Sequence, residues 1–402
     1  MKSLKKILIL PACLAVLVGS ALSSGCNKKT YEVYTNIPQG EFEITDKTFK
    51  LGGTIGGYSP AEKEKCEEVN TSAYTAKGWT FPSVMYTEAQ LVVYADFKED
   101  ADKKFEEFTT EEGAKFISFT KAVGQQLDLI SKAVSSTVTD SDIYKFNNAA
   151  AGATVEISQT TYEILTEALS VYDFTDHYYN PALYYNIKAY GFSTAEQYPQ
   201  TADELPSDEV IAKYTDLASH FGEIELSNEN GYFVTKPAYT VTVEGETLSL
   251  KVDLGGIAKG YAVDKVDGLF DEFGYKFGYF NFGASSMLVK RHFKNENFNL
   301  EFISPRSVKR DGYFKTSFCN DKLSTSGDNE QRYIIDGVRY CHIIDPTTGK
   351  PVQTGIMSAT VVGGSAASAD ALTTAIMAMG KDKAIKFIEE KLTDRKVVFT
   401  AE

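Results

Sequence analysis

Three short segments in the second half of the chain concentrate residues able to do chemistry. Asp253-Leu-Gly-Gly-Ile-Ala-Lys-Gly-Tyr-Ala-Val-Asp264 follows an alternating apolar stretch and opens a helical one. Glycines there let the backbone approach an anion, and the unpaired N–H groups of a helix start favour negative charge. Lys259 adds a point charge suited to phosphate, and Asp253 can accept hydrogen bonds from a ribose hydroxyl or a ring N–H. The segment is neither GxGxxG nor a P-loop, and the same glycines equally suit tight packing of helix on strand. The second segment is Ser324-Thr-Ser-Gly-Asp328 followed by Tyr340-Cys-His342-Ile-Ile-Asp345-Pro-Thr-Thr-Gly349-Lys-Pro351. Asp345-Pro-Thr-Thr-Gly349 is turn chemistry, with His342 at the end of a strand before it; the hydroxyls suit either turn capping or substrate contact. The third is Ser368-Ala-Asp370-Ala-Leu-Thr373-Thr374-Ala. Asp370 and Thr374 stand at i and i+4, on one helical face. Carboxylate, hydroxyl and nearby carbonyls make an oxygen-only site, which suits Mg2+ better than zinc. An Asp near the first turn of a helix is also favoured by the helix dipole alone.

Elements of mixed type must position these segments. Period-two alternation predicts a strand over 85–95 and a hairpin over 239–252 turning at Glu244-Gly245. Short strands are expected at 277–282, 298–303, 333–335 and 357–362. Apolar spacing predicts helices over 99–134 (Phe105, Phe108, Phe116, Phe119), 157–172, 255–273, 366–379 and 382–391. Residues 193–220 are polar, broken by Pro199 and Pro206, and read as loop. Strands and helices mix without a βαβ rhythm, so the class is α+β.

The first 25 residues read as a signal peptide: Lys2, Lys5 and Lys6, an apolar stretch over 7–22, then Ser23-Ser24-Gly25-Cys26. Small residues before a cysteine resemble a bacterial lipobox, with Cys26 as the acylated (palmitate-bearing) first mature residue. The expected product is exported and lipid-anchored on the extracytoplasmic face of the cell membrane. Residues 26–80 read as a tether and N-terminal extension, and 81–402 as the main domain. The formal charge is −14, and losing three lysines takes it to −17. Such an acidic chain argues against a nucleic-acid partner. No cysteine or histidine spacing suits zinc. Cys66, Cys319 and Cys341 remain in the mature chain, either as thiols or with Cys66 in a disulfide.

The order DLGGIAKGYAVD, STSG, HIIDPTTGKP, ADALTTA is similar to that of the FAD:protein FMN transferases, the ApbE family. The resemblance runs from about Met85 to the chain end. Ser141 to Asn147 resembles the family's SxxxxxN segment, and Tyr179-Asn180-Pro181 with Tyr190-Gly191-Phe192 resembles its FDP and WGF elements. Departures are Tyr86 for the Gly of MGT, Asn180 for Asp, Thr137 for an aromatic four residues before Ser141, and Asn281-Phe-Gly-Ala-Ser for NxGGD. The resemblance implies mixed sheets packed with helices in a T-fold-related catalytic body. It places FAD contacts at Met85, Tyr178, Tyr179, Asn180, Asp253, Lys259 and Ile344. It places Mg2+ ligands at the Gly256 carbonyl, Asp370 and Thr374, with Thr373 as an additional contact. The implied reaction joins the FMN half of FAD to a Thr or Ser of a target flavoprotein. His342 is the candidate base. A Mg2+-dependent FAD pyrophosphatase and a non-catalytic flavin-binding lipoprotein are the rival expectations.

Overall fold

A computed structural model describes residues 29–60, 69–97, 108–109, 115–116, 118–192, 198–294 and 296–402. The leader, Cys26, Cys66 and Phe105 lie outside these residues.

A nine-stranded sheet forms the centre. Its order is Phe49–Thr54, Tyr31–Thr35, Lys396–Ala401, Ile356–Val362, Asp321–Gly327, Ser286–Val289, Gly278–Phe282, Thr87–Ala95 and Thr75–Val84. Tyr31–Thr35 and Phe49–Thr54 run parallel; the other neighbours are antiparallel. Side chains alternate between two cores, as the strand period requires. Val397 and Phe399 pack on the helical side, while Val398 packs against a second sheet of Phe298–Ile303, Gly312–Phe318 and Phe42–Ile44. The fold is α+β, as expected.

Residues 31–54, read as tether, are built into this architecture: they supply two strands of the main sheet and one of the second. The boundary expected at residue 80 falls inside strand Thr75–Val84. The polar sequence misled because Phe42–Ile44, Phe49–Thr54 and Thr75–Val84 sit at sheet edges, where alternate side chains face water.

Two further expectations need correction. Of the helix expected over 99–134, Phe119–Val134 is helical, while Phe108–Thr109 pairs antiparallel with Lys115–Phe116 as short strands; 99–107 lie outside the described residues. The expected loop over 193–220 contains the helix Asp208–Ala218. Its start carries the usual signals: Ser207 Oγ accepts from the Val210 N–H at 3.4 Å, and Asp208 and Glu209 fill the first turn. Only Ile211, Leu217 and Ala218 of it are buried, so its apolar face is narrow. The expected strand over 85–95 starts at Thr87.

Met85 and Tyr86 form the tip of the hairpin before it, with φ of 44° and 63°. Ala284, at a Gly position of NxGGD, has φ of 58°. Left-handed backbone strains residues with a Cβ. Tyr86→Gly and Ala284→Gly are each expected to raise stability by about 0.5–1 kcal/mol. Urea denaturation checks this; lower midpoints contradict it.

Candidate functional site

Two helices create the site. The first, Gly255–Glu272, carries the glycine segment. The second, Ala366–Met379, is capped by Ser365, whose Oγ accepts from the Ser368 N–H. Thirteen of its fourteen residues are buried; Thr374 is the exception. Such a helix belongs in the centre of a core, between sheet and helices.

The helices meet at glycines. A Cβ built on Gly256 would lie 3.5 Å from Thr374 Oγ1 and 3.6 Å from the Tyr179 ring. One turn on, the Gly260 N–H donates to Asp370 Oδ2 at 3.1 Å. A regular helix directs that N–H to the Gly256 carbonyl. The carboxylate therefore approaches at the turn where the expected carbonyl ligand sits. Gly256, Asp370 and Thr374 thus come together where the two helices meet, and the Lys259 charge acts on Asp370.

Asp370 is 4% exposed and makes no ion pair among the described residues. Burial pushes its carboxyl up from the ordinary range, against Lys259, the Gly260 N–H and the Ser286 hydroxyl, which favour the charged form. Ser286 is held in turn by Ser324, whose Oγ donates to Ser286 Oγ at 2.8 Å. Ser324 and Ser286 are both fully buried. STSG, whose hydroxyls suited either turn capping or substrate contact, lies in strand Asp321–Gly327, so they alternate. Ser324 and Ser326 face the Ala366–Met379 helix, while Thr325 Oγ1 pairs with Thr360 Oγ1 on the opposite face.

Tyr179 is 2% exposed, and its hydroxyl has no hydrogen-bond partner among the described residues. Burial, then the negative charges of Asp370, Asp253 and Glu167, raise its pKa well above the usual phenol value. An orphaned phenol beside an unpaired buried carboxylate, a free Thr374 hydroxyl and a backbone carbonyl fits a hard cation such as Mg2+. Among the described residues no group of three His, Cys, Asp or Glu could hold a metal instead.

The flavin side is assembled through backbone ties. Asp253 N–H donates to the Pro181 carbonyl at 2.8 Å, joining Tyr179-Asn180-Pro181 to the glycine segment. Asp253 Oδ1 accepts from the Gly255 N–H at 2.7 Å. Asn147, 3% exposed, clamps the preceding residue: its Nδ2 donates to the Val252 carbonyl at 2.9 Å and its Oδ1 accepts from the Val252 N–H at 2.8 Å. Ser141 caps that helix, its Oγ accepting from the Tyr144 N–H. The SxxxxxN spacing thus fixes where Asp253 emerges.

His342 lies by the same site. Its Nδ1 is buried without a partner among the described residues, and the charges of Glu330, Lys259 and Asp253 all reach it. Burial pulls its pKa below the ordinary histidine value. Asp345 closes the turn that follows: its Oδ1 accepts from the Thr347 N–H and hydroxyl, and its carbonyl accepts from the Gly349 N–H. Gly349, at φ +69°, fits against Thr215, Ile211 and Asn186. The unforeseen helix Asp208–Ala218 therefore seats the HIIDPTTG segment.

Some expected contacts are turned elsewhere. Thr373 is fully buried; its hydroxyl donates to the Asp370 carbonyl at 2.7 Å and lies 2.8 Å from Ser326 Oγ. Asn180 Nδ2 donates to the Ala218 carbonyl, and its Oδ1 accepts from the Ala182 N–H. The side chains of both are occupied inside the protein. Ile344 is 4% exposed, with its side chain in the core. Tyr178 is half-buried, its hydroxyl accepting from Lys383 Nζ at 2.5 Å. Met85 packs on the helical core at the hairpin tip. Cys341 is buried, its thiol pushed up to about 11 by that burial. The roles of Ser286 and Glu330, and the hold of Ser324 of STSG on Ser286, went unforeseen; a cross-strand serine pair and an exposed glutamate give no sequence signal.

The ApbE family model matches residues 85–399. The FAD:protein FMN transferase of Vibrio cholerae is 26% identical over 272 residues, covering 66% of this chain and 75% of the relative. That of Treponema pallidum is 27% identical over 284 residues, covering 66% and 72%. The flavin transferase ApbE structure from Vibrio cholerae superposes with a TM-score of 0.63 at 22% identity, covering 81% of this chain and 93% of that one. The ApbE protein of Thermotoga maritima gives 0.64 at 24%, covering 81% and 94%. With more than three-quarters of its length matched to the family model and the fold shared, this chain belongs to the ApbE family.

Proposed function

We propose that this protein is a Mg2+-dependent FAD:protein FMN transferase that joins FMN through a phosphoester to a Thr or Ser of an extracytoplasmic flavoprotein. The observation that carries this reading is the buried, unpaired Asp370 facing Gly256 and Thr374 beside Lys259. Family membership and the relatives named FAD:protein FMN transferase support it.

Asp370, Thr374 and the Gly256 carbonyl would hold the metal, which when bound supplies positive charge to the pyrophosphate oxygens. Lys259 contributes a second positive charge at the same site. Asp253, fixed by Asn147 and Pro181, orients the flavin nucleotide. The acceptor hydroxyl attacks the FMN phosphorus, its proton passes to neutral His342, and the bond to AMP breaks. Cys26 acylation would hold the enzyme at the membrane, facing its exported target.

The direct test incubates the protein with FAD, Mg2+ and a flavoprotein target domain, then weighs the target by mass spectrometry. A mass gain of one FMN, with one AMP released, is expected. AMP without the mass gain indicates a pyrophosphatase; bound FAD without turnover indicates a binding lipoprotein. The pH profile tests His342. Its base form must be neutral, and burial lowers its pKa, so activity rises through a midpoint below about 6.5 and is flat above it. His342→Gln is expected to lower kcat by about 10²–10⁴-fold and to remove that acid limb. An unchanged profile contradicts the assignment.

A further inference from the structure

We propose that the loop 305–310, with the chain start beside it, forms a surface that lies on an anionic bilayer. The inference extends the reading of Cys26 as acylated.

Two independent contacts place this loop at the chain start. Lys29 Nζ pairs with the Glu402 carboxylate at 2.6 Å, and Arg306 of the loop reaches the same carboxylate at 3.3 Å. Thr30 also shares a surface cavity of about 420 Å³ with Asp311 and Gly312, which follow the loop. Arg306 is itself locked by a two-pronged pair with Asp328, at 2.5 and 2.7 Å, so the loop base is fixed.

The loop tip has the chemistry of a membrane contact. Val308 is 100% exposed. Lys309 and Arg310 beside it are exposed and without ion-pair partners among the described residues. Lys47, on the rim of the shared cavity, adds another exposed positive charge. These cations stand out on a mature chain of −17, which an anionic bilayer otherwise repels. Attached at Cys26, Lys29 is three residues away and can lie at most about 11 Å from it. So short a span keeps the loop within reach of the lipid headgroups. Its cations meet anionic lipid and Val308 meets the acyl boundary. A body held this way presents a fixed side to the membrane.

The test uses the mature acylated protein in phosphatidylglycerol–phosphatidylcholine vesicles carrying brominated lipid. Trp79 is the single tryptophan, so W79F gives a silent background. V308W reports on the loop; L129W reports on an exposed position of the helical side, 60% exposed in the parent chain. None of these residues lines the site, and flavin transfer serves as the folding control. V308W fluorescence is expected to shift to the blue and to be quenched several-fold more than L129W, less so in pure phosphatidylcholine. In C26S protein, flotation with the anionic vesicles is expected to fall roughly fivefold for each of K309Q and R310Q. Mass spectrometry of the N-terminal peptide reports acylation separately. A missing acyl group with flotation intact ends the anchor reading and leaves the surface standing. Bound, acylated protein whose V308W indole is quenched no more than L129W overturns the surface. So does self-association through Val308 without lipid quenching, which would assign the loop to a second copy.

Discussion

Asp370→Asn is expected to reduce flavin transfer by at least about 10³-fold, some 4 kcal/mol of transition-state stabilisation, while the protein stays folded. The argument starts from burial. The carboxylate is 4% exposed and makes no contact ion pair among the described residues, so its charged form is costly in the metal-free protein despite the pull of Lys259. The Gly260 N–H and the Ser324–Ser286 relay still favour that charge, and they hold it facing Thr374 and Gly256. A structural carboxylate would be expected to have an ion pair; the lack of one among the described residues supports the proposed cation site. Asn keeps the shape and removes the charge. Without metal the variant should match or exceed the parent in Tm, because a buried charge is gone. Addition of Mg2+ should raise the parent's Tm by mass action and leave the variant's unchanged. The two readouts separate loss of a ligand from loss of fold. Full transfer by the variant, or an equal Mg2+-induced Tm rise, would remove Asp370 from the metal site.

The second half of this chain was legible because its local signals agree with its tertiary roles. The run of small residues over 366–379 reads as a helix, and Ala366–Met379 is one. The Glu244-Gly245 turn, with both residues at positive φ, was readable from its dipeptide. The first half was harder for a physical reason. Tyr31–Thr35 and Phe42–Ile44 pair with strands more than 260 residues away, Lys396–Ala401 and Gly312–Phe318. Period and propensity within the segment carry no trace of that pairing. The helix Asp208–Ala218 buries so little that it passed for loop. At the site, residue types made Asp370, Thr374 and Lys259 candidates, and only the resemblance to the ApbE family gave them roles. The serine relay behind Asp370 was invisible, because it depends on two strands placing Ser286 opposite Ser324. Thr373 shows the converse. A motif lists it beside Thr374, yet a step of 100° around the helix turns it to Ser326 and away from the site.

Two glycines one helical turn apart should respond to the same substitution in opposite ways. At Gly260 an added methyl would lie 2.5 Å from the Ala366 carbonyl carbon and 2.8 Å from the Ala367 Cα. Both are backbone atoms at the start of a buried helix, so neither can rotate aside. The helices must separate, breaking the Gly260 N–H contact to Asp370. Gly260→Ala is therefore expected to cost about 3 kcal/mol of stability and to abolish Mg2+ binding. At Gly256 the same methyl would meet Thr374 Oγ1 at 3.5 Å and the Tyr179 ring at 3.6 Å, both ordinary contacts. The backbone carbonyl expected to face the metal is unaltered by a side chain. Gly256→Ala should thus change stability by less than about 1 kcal/mol and transfer by only a few-fold. Urea midpoints and Mg2+ titration of both variants decide the matter. Equal effects at the two positions would mean that the glycine segment serves packing alone, and that the turn before Lys259 is no part of the metal site.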